Sequence, residues 1–129
     1  MTLGFIGIGK MGSAMVKNLS KNNEVKVFDM QKSNYQALMK QPNVKFCQTI
    51  QEMNGSKRVF LMLPDDSAVS NVCIGDNGLF QVLQNNSRIY DCSTISPKTS
   101  QLLHQHAQEL NICFVDAPVS GGNTDSHNI

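Results

Sequence analysis

The chain has 129 residues, a formal net charge of +1, 40% hydrophobic residues and 16% charged residues. That is enough for one domain with a real core, and it excludes a disordered chain. Nothing points to nucleic acid or a membrane as partner, because no basic excess exists and no apolar run nears the roughly 18 residues of a membrane span.

The elements follow in order. Thr2–Gly7 is a short apolar run and predicts a strand, and Lys10–Ser20 carries Met11, Ala14, Met15 and Leu19 at helical spacing. Glu24–Asp29 predicts a strand, Lys32–Lys40 a helix stopped near Pro42, and Val44–Cys47 a short strand. Thr49–Met53 predicts a brief helix capped by Thr49 or Gln48. Arg58–Leu63 predicts a fully buried strand ended by Pro64. Asp66–Cys73 predicts a helix, Gly75–Gly78 a turn, and Gly78–Gln84 one more helical turn. Arg88–Cys92 is a strand. Ser96–Leu110 is the longest helix, with Ser96 as N-cap and Pro97 in the first helical position, and Asn111–Asp116 contains the last strand. Helices separate successive strands where hairpins would show tight turns, so the expected fold is α/β with a doubly wound, mainly parallel sheet.

The four cysteines, Cys47, Cys73, Cys92 and Cys113, form no C-x-x-C pair. They read as buried free thiols with no disulfide and no metal, which suits a reducing compartment. The methionines lie mostly on apolar faces and read as core filling.

The stretch GFIGIGKMG places Gly7, Gly9 and Gly12 as G-x-G-x-x-G between a strand and a helix, with Asp29 ending the next strand. That context turns a weak motif into a dinucleotide fingerprint. Gly7 permits the tight turn, Gly9 lets a pyrophosphate approach the backbone, and Gly12 lets the helix pack close to the strand. The helix start, with Ile8, Lys10 and Met11 in the turn, offers N–H groups to the phosphates. Asp29 suits ribose hydroxyls and repels a 2′-phosphate, which favours NAD over NADP. Lys32 is the exception to watch, because it reaches a phosphate if its loop bends back.

Four segments then appear in order: GFIGIGKMGSAMVKNL, FLMLPDD, YDCSTISP and FVDAPVSGG. Together they resemble the β-hydroxyacid dehydrogenase family, in particular its 3-hydroxyisobutyrate dehydrogenase branch, with 6-phosphogluconate dehydrogenase as a more distant relative. The resemblance covers residues 2–122 and implies a Rossmann-type cofactor domain over 1–122. Residues 123–129 match nothing in the family and read as a loose tail. The resemblance implies NAD as cofactor and a small β-hydroxyacid as substrate, its alcohol oxidised to the semialdehyde. Leu63 and Pro64 correspond to cofactor contacts, Thr94 to the residue beside the nicotinamide, and Ser120, Gly121 and Gly122 to the loop that holds the substrate carboxylate. A homo-oligomer is implied for full-length members. The implied location is the mitochondrial matrix in a eukaryote and the cytoplasm in a bacterium.

Three departures stand beside this. NTDSHNI follows SGG where the family continues with small residues, Ala68 stands where the family often has an asparagine, and the chain has about half the family's length. The catalytic lysine belongs to the helical domain beyond it. No residue here replaces that lysine: His104 and His106 sit on different faces of one helix, His127 is in the tail, and Lys10 and Lys98 have other surroundings. The expectation is an NAD-binding chain with little or no turnover. The alternatives are a non-catalytic dinucleotide-binding module or fragment, or a reductase of the glyoxylate or tartronate semialdehyde type.

Overall fold

The computed structural model describes residues 2–117. Six strands run in the order β1 (Thr2–Ile6), β2 (Glu24–Phe28), β3 (Val44–Phe46), β4 (Arg58–Leu61), β5 (Arg88–Asp91) and β6 (Cys113–Asp116). The α-helices are α1 (Lys10–Leu19), α2 (Asp66–Ile74), the single turn α3 (Leu79–Val82) and α4 (Pro97–Glu109). In space the strands lie β3-β2-β1-β4-β5-β6, and all five pairings are parallel. The expected sheet is therefore wholly parallel. Chain order reverses between β1 and β4, the place where open α/β sheets bind ligands.

Alternation along each strand builds two cores. Leu3, Phe5, Val25, Val27 and Phe60 face α1, with Met15 and Val16 packed on them. Ile6, Val59, Leu61, Ile89 and Phe114 face α2 and α4, which contribute Val69, Val72, Leu103 and Ala107. Successive strand residues point to opposite faces, so a parallel sheet covered on both sides reads as a continuous apolar run. Register stacks Phe5, Phe60 and Tyr90 in a row, with ring centroids 6.0 and 5.0 Å apart. At the C-terminal edge the row is Phe28, Ile6, Leu61, Asp91 and Asp116.

Two expectations are corrected. Lys32–Lys40 is not an α-helix: Lys32–Leu38 is a 3₁₀ segment. Three residues per turn put Tyr35 and Leu38 on one buried side. The Tyr35 hydroxyl then donates to the Cys47 carbonyl at 2.5 Å, which ties the segment to the strand ends. Second, Cys113 is exposed, while Cys47, Cys73 and Cys92 are buried. Cys113 opens β6, an edge strand in the described sheet, where only one side has a partner. The three buried thiols are held in their neutral form by burial, which pushes Cys92 up to about 12.

The brief helix after β3 is also 3₁₀, over Ile50–Met53. Thr49 is its N-cap, and the Glu52 carboxylate accepts from the Gln48 and Thr49 N–H groups at 2.5 and 3.0 Å. His104 and His106 are exposed on α4. They face apart, His104 Nδ1 lying 3.1 Å from the Phe114 carbonyl and His106 against the Phe80 ring. No helix among the described residues is long and apolar enough to cross a membrane, and no group of three metal-ligating side chains occurs among them.

Candidate functional site

The turn after β1 is held by its glycines. Gly7 sits at φ +98°, and a Cβ there would lie 2.2 Å from the Met62 carbonyl oxygen. A Cβ on Gly12 would lie 2.0 Å from the Gly7 carbonyl oxygen. Both positions exclude any side chain on grounds internal to the protein. Gly9 is different. Its backbone is extended, and an added Cβ would meet nothing within 4 Å. The fold does not require glycine there.

Beside Gly9, α1 begins without a side-chain cap and with no acidic residue in its first turn. Its leading N–H groups and the positive end of its dipole are thus available to an anion. Ser13 stiffens the arrangement: its hydroxyl is buried and donates to the Ile8 carbonyl at 2.7 Å.

Asp29 leaves β2 opposite this turn. Its Oδ2 accepts from the Ile8 N–H and its Oδ1 from the Gln31 N–H, both at 2.8 Å. Each oxygen keeps capacity for a further donor, so the carboxylate can both brace the turn and receive hydroxyls. Lys32 does bend back, but onto protein: its Nζ donates to the Asp29 carbonyl at 2.9 Å and lies 4.1 Å over the Phe28 ring.

These groups line one cleft of about 840 Å³ at the switch point, a size within the range of small-molecule sites. Gly7, Gly9, Lys10, Met11, Gly12, Asp29, Leu63 and Pro64 all line it. Ile8 does not; its side chain is buried in the α1-side core and its N–H is given to Asp29. Thr94 does not line it either, and sits exposed in the loop after β5. Ser120, Gly121 and Gly122, together with residues 123–129, lie outside the described residues. Ala68 lines the cleft as the departure anticipated, but Asn71, one helical turn further along α2, lines it too and offers an amide. Met30 and Ile50, which carried no sequence signal, add apolar wall near Asp29.

On the β4–β5 side the loops are tied together. The Leu63 N–H donates to Ser93 Oγ at 2.7 Å. Asp66 accepts from the Ser96 N–H at 3.1 Å, the Ser96 hydroxyl at 2.7 Å and the Thr99 hydroxyl at 2.8 Å. These hydrogen bonds hold the Asp66 carboxyl below its ordinary range. Asp91 is fully buried beneath them, with Oδ1 accepting from the Ser93 N–H at 3.0 Å and Oδ2 unpartnered. Burial raises its pKa, hydrogen bonds from Ser93 counter this, and the nearby Asp116 and Asp66 raise it further. Among the described residues, the titratable side chains lining the cleft are Lys10, Asp29 and Asp76.

A parallel sheet in this order, with a glycine turn, an uncapped helix start and a facing carboxylate, defines a dinucleotide-binding domain. The comparisons agree. Residues 2–128 match the model of the NAD binding domain of 6-phosphogluconate dehydrogenase, and the chain belongs to that family. It is 35% identical over 121 residues to a 3-hydroxyisobutyrate dehydrogenase of Pseudomonas aeruginosa, covering 93% of this chain and 41% of that protein. It is 37% identical over 123 residues to a probable mitochondrial 3-hydroxyisobutyrate dehydrogenase of Dictyostelium discoideum, covering 94% and 38%. Among solved structures it resembles Psf3 in complex with NADP+ and 2-OPP, with TM-score 0.88, 27% identity, and coverage of 95% of this chain and 44% of that one. The chain therefore spans about two fifths of the length of these relatives. Its cofactor is a nicotinamide dinucleotide.

Proposed function

We propose that this chain binds NAD in preference to NADP, as the cofactor domain of an NAD-dependent dehydrogenase of the 3-hydroxyisobutyrate type. The observation that carries this is Gly9: a glycine that the fold does not need, at an uncapped helix start, lining an 840 Å³ cleft together with Asp29. Lys10, Met11 and Gly12 open the helix that receives the pyrophosphate, and Asp29 receives the adenosine ribose hydroxyls. A 2′-phosphate would meet the Asp29 carboxylate, already close to two backbone donors and aimed along the cleft. Lys32 rests its ammonium on the Asp29 carbonyl and over the Phe28 ring.

The bound nicotinamide supplies hydride transfer, and the protein must orient it and move a proton to or from the substrate hydroxyl. The substrate by this reading is a small β-hydroxyacid. The titratable side chains among the described lining residues are Lys10, Asp29 and Asp76, and by this reading the 129-residue chain binds cofactor with little or no turnover. General acid–base help is worth about 10²–10⁴-fold in rate. The same observation favours a second reading, a non-catalytic dinucleotide-binding module. Titration of the purified chain with NADH and NADPH, followed by fluorescence, tests the binding claim. Saturable binding that prefers NADH supports it, and equal affinity or none overturns it. A hydride-transfer assay with 3-hydroxyisobutyrate on the same sample separates the two readings.

A further inference from the structure

We propose that Asp66 is a positioning residue for the half of the dinucleotide that lies on the β4–β5 side, acting through the Ser93–Ser96 arch that carries Thr94. The proposal rests on the dinucleotide reading above.

The sheet order gives the direction. Asp29 ends β2, the glycine turn ends β1, Leu63 and Pro64 follow β4, and Ser93–Ser96 follow β5. A dinucleotide whose adenosine ribose meets Asp29 and whose pyrophosphate meets the turn must extend its other nucleoside toward β4 and β5. That half therefore meets two neighbouring loops. Both loops are cross-tied at their ends. At one end the Leu63 N–H donates to Ser93 Oγ. At the other, Asp66 gathers three donors: the Ser96 N–H, the Ser96 hydroxyl and the Thr99 hydroxyl.

Between these ties the arch has two residues. Ile95 packs onto the core, and Thr94 is left exposed. Thr94 therefore takes its position from the two anchors.

Nothing local requires an acid at Asp66. Its neighbour Asp65 already caps α2, accepting from the Ala68 N–H at 2.8 Å. All of Asp66's partners are 30 or 33 residues away in sequence. A carboxylate suits three converging donors because it only accepts. It also lies at the N-terminal ends of both α2 and α4, where the helix dipoles favour negative charge.

The test is calorimetric titration of the full 129-residue chain, as wild type, Asp66→Ala, Asp66→Asn and Thr99→Val, with NADH and with ADP. ADP carries the adenosine and pyrophosphate but lacks the nicotinamide nucleoside. Asp66→Ala is expected to weaken NADH about tenfold and ADP less than about twofold, as for loss of a charge-assisted contact network on one side only. Asp66→Asn keeps one acceptor and should recover most of the loss. Thr99→Val removes a single hydroxyl and should weaken NADH about threefold with ADP unchanged; it carries the test if Asp66→Ala does not fold. Equal weakening of both ligands, or no change in either, overturns the proposal while leaving the dinucleotide reading intact. A wild-type chain that binds neither ligand overturns both.

Discussion

Three helices begin at the C-terminal edge of the sheet, and their starts differ. At α2 the Asp65 side chain accepts from the Ala68 N–H, and at α4 the Ser96 side chain accepts from the Thr99 N–H. At α1 the cap position is Gly9, with no side chain to do the same. Two helices close themselves and one stays open. The open one lies at the reversal in strand order and lines the cleft together with Asp29. Of these three starts, α1 is the one without a side-chain cap, and an uncapped helix start is a ready place for an anion.

The comparison can be broken or sharpened by substitution. The largest effect is expected from Gly12→Ala. Its Cβ would meet backbone at 2.0 Å, so α1 must move off β1. A loss of about 3 kcal/mol or more is expected in denaturant melts, the scale of overpacking against backbone that cannot yield. Gly9→Asp comes next and acts on binding alone. The site has room for the side chain, and aspartate caps α1 as Asp65 caps α2. Thermal melts should show an unchanged or slightly higher midpoint, with a stability gain of at most about 0.5 kcal/mol. NADH titration should show affinity reduced by about 100-fold or more, because the new carboxylate occupies the anion position. A Gly9→Asp chain that still binds NADH tightly would place the pyrophosphate elsewhere. The reverse experiment is Asp65→Ala, which should cost about 1 kcal/mol of stability and leave NADH affinity within about twofold.

The smallest effect concerns Asp91, buried beneath the capped side. Its pKa is raised in the folded chain, so the folded state binds its proton more readily than the unfolded state. Its contribution is fully present below the ordinary carboxylate value of 3.8 and is lost as pH rises through the raised value. Asp91→Asn removes that titration. Stability curves for the two chains should diverge as pH rises above 3.8, with the asparagine chain the more stable at pH 7. Parallel curves would mean that Asp91 finds compensation that the fold does not display.

Much of this was legible because the signals were local. Ser96 followed by Pro97 announced the start of α4, and alternating strand and helix segments announced a parallel sheet. The glycine spacing and Asp29 marked the cleft, since a fingerprint spread over a single βαβ unit has its physics written in sequence. What escaped is long-range. The Asp66–Ser96 and Leu63–Ser93 links join residues 30 apart, and no local signal announces that these residues pair. The 3₁₀ form of Lys32–Leu38 escaped because Tyr35 is drawn to the Cys47 carbonyl, a tertiary contact that outweighs helical spacing. Cys113 was misread because an apolar run does not announce which strand lies at an edge.

The two oxygens of Asp29 fasten the turn itself. One of them holds the Ile8 N–H, the other the Gln31 N–H. A substitution that removes both acceptors unfastens the turn unless a companion change re-ties Ile8, which gives protein engineers two positions to alter in concert.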